Sequence, residues 1–415
     1  MKANDINGKS KGVFKRVIGI LLIVIMLISL TACLKPVSLE DYGYVISVGV
    51  DKGTQKKYYI TLMLQRESSG QSPSDSEGGV IILAAECDDV FDCIGTIESN
   101  IPYILNFSRT SFLIFSSEAA REGLIKEFLE LPLDALRIRA SAILIITRDT
   151  VSAFIGGLAA NNDANVTKLQ TSILLDREKT GMVSIMSVSR MYEACVEGRY
   201  DICTALGAYD ECIITDMGQK KSEGEGEDPI SDSSSGERIG GLKSYIAGSA
   251  LFDGWTMSGE LDRDETMLLN IVNDEFKTGI FAFEKEGETV TVVLEAKKAN
   301  KRFEGFDKES SPCFLIDVSL YAAVHMSGAE ASAESAQRLL DNELSEIIEE
   351  SLYALFEKCR DANCDAMRLG TYISKSFASV EDWESFDWKT LYPSARVRFN
   401  VEISAVDKYA SEGRK

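Results

Sequence analysis

Cys33 ends the run Leu30-Thr31-Ala32-Cys33, a branched apolar residue and two small ones ahead of a thiol. That order is the bacterial lipobox, in which the thiol takes up diacylglycerol, the chain is cut in front of it, and the cysteine becomes the new N-terminus. Lys2, Lys9, Lys11, Lys15 and Arg16 precede it against one acid, Asp5, and an unbroken apolar run extends from Val17 to Leu30. Positive charge followed by an apolar run is the charge order of a signal peptide. The run makes about 21 Å of helix at 1.5 Å per residue, short of a bilayer core of roughly 30 Å. A cleaved leader over residues 1–32 and an acylated Cys33 are therefore expected, in preference to a membrane span. An ordinary secretory leader with a cysteine near its cut site is the bland alternative. With each buried methylene contributing about 0.8 kcal/mol, two or more acyl chains are enough for stable anchoring.

The other reactive side chains are poorly placed for catalysis. His325 is the single histidine, so a histidine-rich zinc site is excluded and a Ser-His-Asp triad would depend wholly on it. The sequence has neither a G-x-S-x-G motif nor a P-loop. Asp262-Arg263-Asp264-Glu265 could suit a divalent cation, but the preceding Ser258-Gly259-Glu260-Leu261 reads as a turn into a helix with acids in its first turn. Arg137 and Arg139 could pair carboxylates bidentately, and structural salt bridging is the simpler use. Trp383, Trp388 and Tyr392-Pro393 could line a ligand site, although covering a core is the commoner task of such aromatics. No catalytic residue, cofactor or metal site is expected. Besides Cys33 there are eight cysteines, none in a CxxC pair and most in apolar segments, so buried free thiols are expected.

Positioning these residues requires folded domains. The formal charge is −21, and losing the basic leader makes the remainder more acidic still, which argues against nucleic acid as a partner. The acidic surface also disfavours anionic lipid, so the acyl chains hold the protein near a membrane that its body does not seek. Tyr44–Asp51 and Tyr58–Gln65 read as a hairpin around the polar turn 53–57. Residues 68–79 read as a mobile loop. Val90–Ser99 is helical, Phe112–Phe115 and Ala142–Ile146 are short buried strands, and Ala120, Leu124, Phe128 and Leu131 mark one face of a helix over Glu118–Leu131. A helix from Thr150 is expected to stop at Gly156-Gly157, and more helix is expected around Lys179–Val196. Strands follow at Cys203–Tyr209, Cys212–Thr215 and Tyr245–Phe252, separated by the acidic Gly/Ser-rich stretch 218–241, which lacks the apolar residues to offset ordering entropy. Thr289–Leu294 and Phe314–Tyr321 are strands. A long amphipathic helix runs from Ala336 through Leu344, Ile348 and Leu352 to Phe356, and Val397, Phe399, Val401 and Ile403 alternate with polar residues in a last strand. Hairpins mixed with helices, without regular strand-helix alternation, predict a multi-domain α+β fold with mixed or antiparallel sheets and packed helices. The expected division is a leader at 1–32, an N-terminal α+β domain at 33–200, a β-rich middle domain at 201–285 with the disordered insertion 218–241, and a C-terminal α+β domain at 286–410.

Several separated segments together resemble the Ger(x)C lipoprotein family, the C subunits of spore germinant receptors. They begin with the lipobox and EDYGYVISVGVDK at Glu40–Lys52, whose Gly49-Val50-Asp51 is similar to the family's Gly-x-Asp strand ending. Asn106-Phe107-Ser108 and Ser117 to Leu124 follow. Then come Ala250-Leu251-Phe252, Ser258-Gly259-Glu260-Leu261 and Glu265-Thr266. Asp365, Leu369-Gly370, Trp383, Trp388 and Tyr392-Pro393 stand in the order of the family's C-terminal signature. Leu34-Lys35 replaces the family's common Trp-Asp after the lipid cysteine, Ser108-Arg109 replaces its Ser-His, and the acidic insertion is unusually long.

The resemblance implies a non-catalytic, membrane-anchored subunit on the outer face of the spore inner membrane, needed for assembly or signalling of the receptor during germination. Its implied partners are a receptor A subunit and a polytopic, transporter-like B subunit. A substrate-binding lipoprotein of an uptake transporter is the alternative, and such proteins usually alternate strand and helix through two lobes, which this chain does not.

Overall fold

The computed structural model describes residues 19–20, 41–65, 80–130, 132–161, 179–209, 243–285, 288–326 and 343–405. Cys33, residues 68–79, the strand expected at 212–215, the acidic stretch 218–241 and the start of the long helix at Ala336 lie outside them.

Two sheets carry the fold. The first contains β1 (Tyr42–Lys52), β2 (Tyr58–Gln65), β3 (Val80–Cys87), β4 (Ile104–Asn106), β5 (Phe112–Ser116), β6 (Ile143–Thr147), β7 (Met186–Ser187), β8 (Cys203–Tyr209), β9 (Ser244–Asp253) and β10 (Thr256–Leu261). Its order is β10-β9-β8-β6-β5-β1-β2-β3, with β4 beside β1 and β7 beside β6. β1, β5, β6 and β8 run parallel at the centre, and antiparallel pairs β1–β2, β2–β3, β8–β9 and β9–β10 extend both sides. Central parallel strands are covered on both faces, which is why they read as continuous apolar runs. Leu113, Phe115, Leu144 and Ile146 enter one core with Met191 of the helix Val188–Glu197, while Phe112, Ile114, Ile143 and Ile145 enter another with Phe154 and Ile155 of the helix Val151–Asn161. The hairpin expected at 44–65 is β1–β2.

The second sheet has the order β11-β12-β13-β14, from Thr278–Lys285, Glu288–Phe306, Pro312–Met326 and Arg396–Ala405. β13 and β14 are parallel, joined through the helix Leu344–Asp361, which buries Leu344, Ile348, Leu352, Leu355, Phe356 and Cys359. Mixed sheets with packed helices are the α+β architecture expected from the pattern. The segment expected to be a middle domain contributes β8, β9 and β10 to the first sheet and β11 to the second.

Four local expectations are corrected. The helix over Glu118–Leu131 is two helices, Ser117–Arg121 and Leu124–Glu130, broken at Gly123 with φ +79°, a left-handed conformation that suits glycine. The helix from Val151 continues through Gly156-Gly157 to Asn161. A Cβ on Gly157 would lie 2.0 Å from Ser244 Oγ, so this glycine allows close packing and does not end the helix. Ser258 to Leu261 is strand β10, because β9 offers it a hairpin partner. β12 and β13 extend well past their apolar cores, since pairing that continues over two bulges carries the chain from Lys298 to Phe306 into the ladder.

Candidate functional site

The C-terminal signature residues converge on one buried joint. After the helix Leu344–Asp361 the chain turns through Asn363 and Arg368, both at positive φ, and this places the Asp365 carboxylate inside. Its Oδ1 accepts from Leu369 N at 2.8 Å, and its Oδ2 accepts from Gly370 N at 2.7 Å and Trp388 Nε1 at 3.1 Å. Burial pushes the Asp365 carboxyl up to about 7 against the opposing pull of those N–H groups. Gly370 is needed by contact: a Cβ there would fall 2.2 Å from Arg199 O and 2.5 Å from Trp388 Nε1. Tyr392, fully buried, donates to Cys364 O at 2.9 Å. The ring of Trp388 lies 6.0 Å from Phe314 and 5.7 Å from Tyr392, and Trp383 lies 5.7 Å from Phe377. These aromatics cover the core, the commoner of the two uses open to them.

Charged residues that no sequence pattern marks complete the joint. Asp201, just before β8, accepts from Gly254 N at 3.0 Å, Asp365 N at 2.8 Å and Lys389 Nζ at 2.6 Å. Lys389 also reaches Asp253 at 2.9 Å and Asn363 O at 2.5 Å. Beneath them Lys301 of β12 donates to Asn273 Oδ1 at 2.6 Å and to Met367 O, while Asn273 donates to Ala366 O at 2.9 Å. Desolvation is the main cause that drops the Lys301 ammonium to about 7, with Arg368 adding repulsion. Arg368 in turn pairs with Glu275 at 2.8 Å. The joint therefore fastens the first sheet, through residues 199–203 and 253–254, to β12 and the C-terminal segment. Apart from the buried Asn363 Oδ1, its named donors and acceptors are committed to backbone and to each other, an arrangement suited to holding position.

The remaining signature residues also position structure. Both Asp51 carboxylate oxygens accept from Val151 N at 3.0 Å, at the start of the helix Val151–Asn161, and burial raises the Asp51 pKa. A Cβ on Gly49 would sit 2.2 Å from Val151 Cγ1. The Gly-x-Asp ending of β1 thus seats one helix. Asn106 caps the short helical turn Phe107–Arg109. Glu260 of β10 binds Arg121 at 3.3 Å and Arg148 at 2.9 Å. Asp262 and Glu265 form a reciprocal capping box on the helix Arg263–Val272, which accounts for the acidic tetrad as a helix start.

Arg139 donates to Arg109 O and Ser111 Oγ, each at 3.3 Å. His325 lies in β13 opposite Thr291 of β12. Among the described residues no group of His, Cys, Asp or Glu is arranged to hold a metal ion, and no helix is long and apolar enough to cross a membrane. Among the described residues seven cysteines are free thiols. Burial pushes Cys195 and Cys203 up to about 12, and Cys359 and Cys364 well above the ordinary thiol range, so little reactive thiolate is present at neutral pH.

Two family models match this chain: the spore germination protein N-terminal domain over residues 35–206, and the spore germination B3/GerAC-like C-terminal domain over residues 247–407. A solved structure, "Crystal Structure of the GerBC protein", is similar in fold, with a TM-score of 0.52 at 13% identity, covering 89% of this chain and 100% of that one. No curated protein matches.

Proposed function

The chain belongs to the Ger(x)C family of spore germination proteins, and from that premise we propose that it is the lipid-anchored C subunit of a spore germinant receptor. The observation that carries this reading is the pair of family matches, which together span most of the chain and begin at residue 35, two positions after Cys33. In this reading the leader is removed, Cys33 carries the acyl chains, and the folded body stands on the outer face of the spore inner membrane beside an A subunit and a polytopic, transporter-like B subunit. Its work is assembly of the receptor or transmission of the ligand-bound state, without catalysis. The interior supports a non-catalytic role: its carboxylates seat backbone N–H groups, and its buried thiols are held protonated.

Affinity purification from spores through a C-terminal tag tests the assembly. Both membrane subunits are expected to co-purify, and a permease and ATPase pair in their place would overturn the reading. Cys33→Ala tests the anchor. The variant should lose acylation and membrane retention, and germination should fall. Retention and germination both unchanged would refute the lipid's role.

A further inference from the structure

We propose that the end of the first sheet at which β1 begins is a contact surface for anionic phospholipid headgroups. Three observations meet there. Nine residue steps separate Cys33 from Tyr42, so at no more than about 3.5 Å per residue the lipid lies within roughly 30 Å of this end. This proposal rests on the reading that Cys33 carries lipid.

The charge at this end is less negative than that of the whole. The segments 99–111 and 135–142 contain Arg109, Arg137 and Arg139 and no acid, in a chain whose formal charge is −21. They are contiguous in space: the Arg109 guanidinium lies 3.8 Å from the centre of the Tyr44 ring, and Arg139 donates to the Arg109 carbonyl. Arg137 and Arg139 are exposed, and among the described residues neither forms an ion pair. At the opposite end of β1, by contrast, Lys52 is paired with Glu118 and Glu122. Among the described residues the acids bordering this end are Asp41, Glu98 and Asp134, equal in number to the arginines, and Glu98 accepts from Leu105 N at 3.0 Å.

Apolar residues at the same end are open to solvent. A Cβ on Gly43 would lie 3.2 Å from Tyr103 Cβ, so the loop carrying Pro102 and Ile104 borders the start of β1. Pro102 is exposed and Ile104 is 45% exposed. A rim of apolar side chains beside exposed arginines fits the interface of an anionic bilayer, where arginine reaches phosphate and the apolar groups enter between headgroups. The acyl chains supply attachment, and the rim sets which end of the body faces the membrane. The net acidity of the body opposes any other orientation.

The test uses the acylated mature chain on vesicles of phosphatidylcholine alone or mixed with phosphatidylglycerol, read by amide hydrogen exchange. Protection is expected over 101–109 and 137–141 on the anionic vesicles only, and it should fade as salt rises. Each cation brought to such a surface favours the bound orientation roughly fivefold, so Arg137→Gln with Arg139→Gln should weaken that preference about twenty-five-fold. Unchanged exchange in β5 and β6 would show that the double variant is folded. Flotation of the parent on neutral vesicles tests the anchor separately: no flotation defeats the lipid reading, whereas flotation without anionic-specific protection defeats only the rim. Protection of this end that requires added receptor subunits would assign the surface to a protein partner and overturn the proposal.

Discussion

Asp365→Ala is the substitution whose cost is most directly worked from the structure. It removes the acceptor for Leu369 N, Gly370 N and Trp388 Nε1 at once, in a site where Asp365 is 1% exposed. A buried donor left without a partner costs about 1–3 kcal/mol, so with three donors orphaned and some relaxation the loss is about 3–6 kcal/mol. The loss must depend on pH in a defined direction. The folded-state pKa of Asp365 is raised from 3.8 to about 7, so between those values the folded protein holds a proton that the unfolded chain has shed. Stability contributed by the parent carboxyl then falls as pH rises through that window, at up to about 1.4 kcal/mol per pH unit. The variant lacks this slope. Its deficit is therefore greatest at pH 5 and smaller at pH 8 by up to about 3 kcal/mol. Removing Asp365 also takes away one of the charges that hold the Lys301 pKa up, which adds to the narrowing of the deficit toward pH 8. Urea unfolding of the mature chain at pH 5, 7 and 8, followed by tryptophan fluorescence, gives the comparison directly. A variant within about 0.5 kcal/mol of the parent at pH 5, or a deficit that grows with pH, would refute this account of the joint.

Lys301→Met should remove the opposite pH leg. The ammonium's folded pKa is lowered from 10.5 to about 7, so the parent gains stability as pH rises from 7 toward 10.5 and the variant does not; thermal unfolding at pH 7 and pH 9 reads the difference. Gly370→Ala drives a methyl into Arg199 O and Trp388 Nε1 and should cost about 1–3 kcal/mol, seen as a lower melting temperature. Asp51→Ala leaves Val151 N without its acceptor and should destabilise by about 1–3 kcal/mol, with hydrogen exchange at the start of the helix Val151–Asn161 speeding first.

Much of this protein is determined locally, and the sequence by itself specified that part. The β1–β2 hairpin, the alternation of Val397, Phe399 and Val401 in β14, and the buried stripe Leu344, Ile348, Leu352 and Phe356 each follow from side-chain period within a few residues. The capping box at Asp262 and Glu265 is equally local, because its partners are three residues apart. The order of signature residues from Gly49 to Pro393 was enough to identify the family, but it did not disclose what those residues do.

Their roles were decided by tertiary structure. Gly157 reads as a helix stop until Ser244 is packed against it, and β10 reads as a turn until β9 lies alongside. The polar half of β12 has little strand pattern of its own and becomes strand because β13 pairs with it throughout. Asp201 and Lys389, 188 residues apart, meet at 2.6 Å, and no period or spacing connects them. A hydrogen bond between distant segments leaves no periodic trace in sequence, since it requires only that one donor and one acceptor be brought together by the chain between them. Lys301 is the clearest instance: in sequence it is one cation in a basic, hydrophilic run, and only the packing of Asn273, Met367 and Arg368 around it makes it a buried lysine with a pKa of about 7.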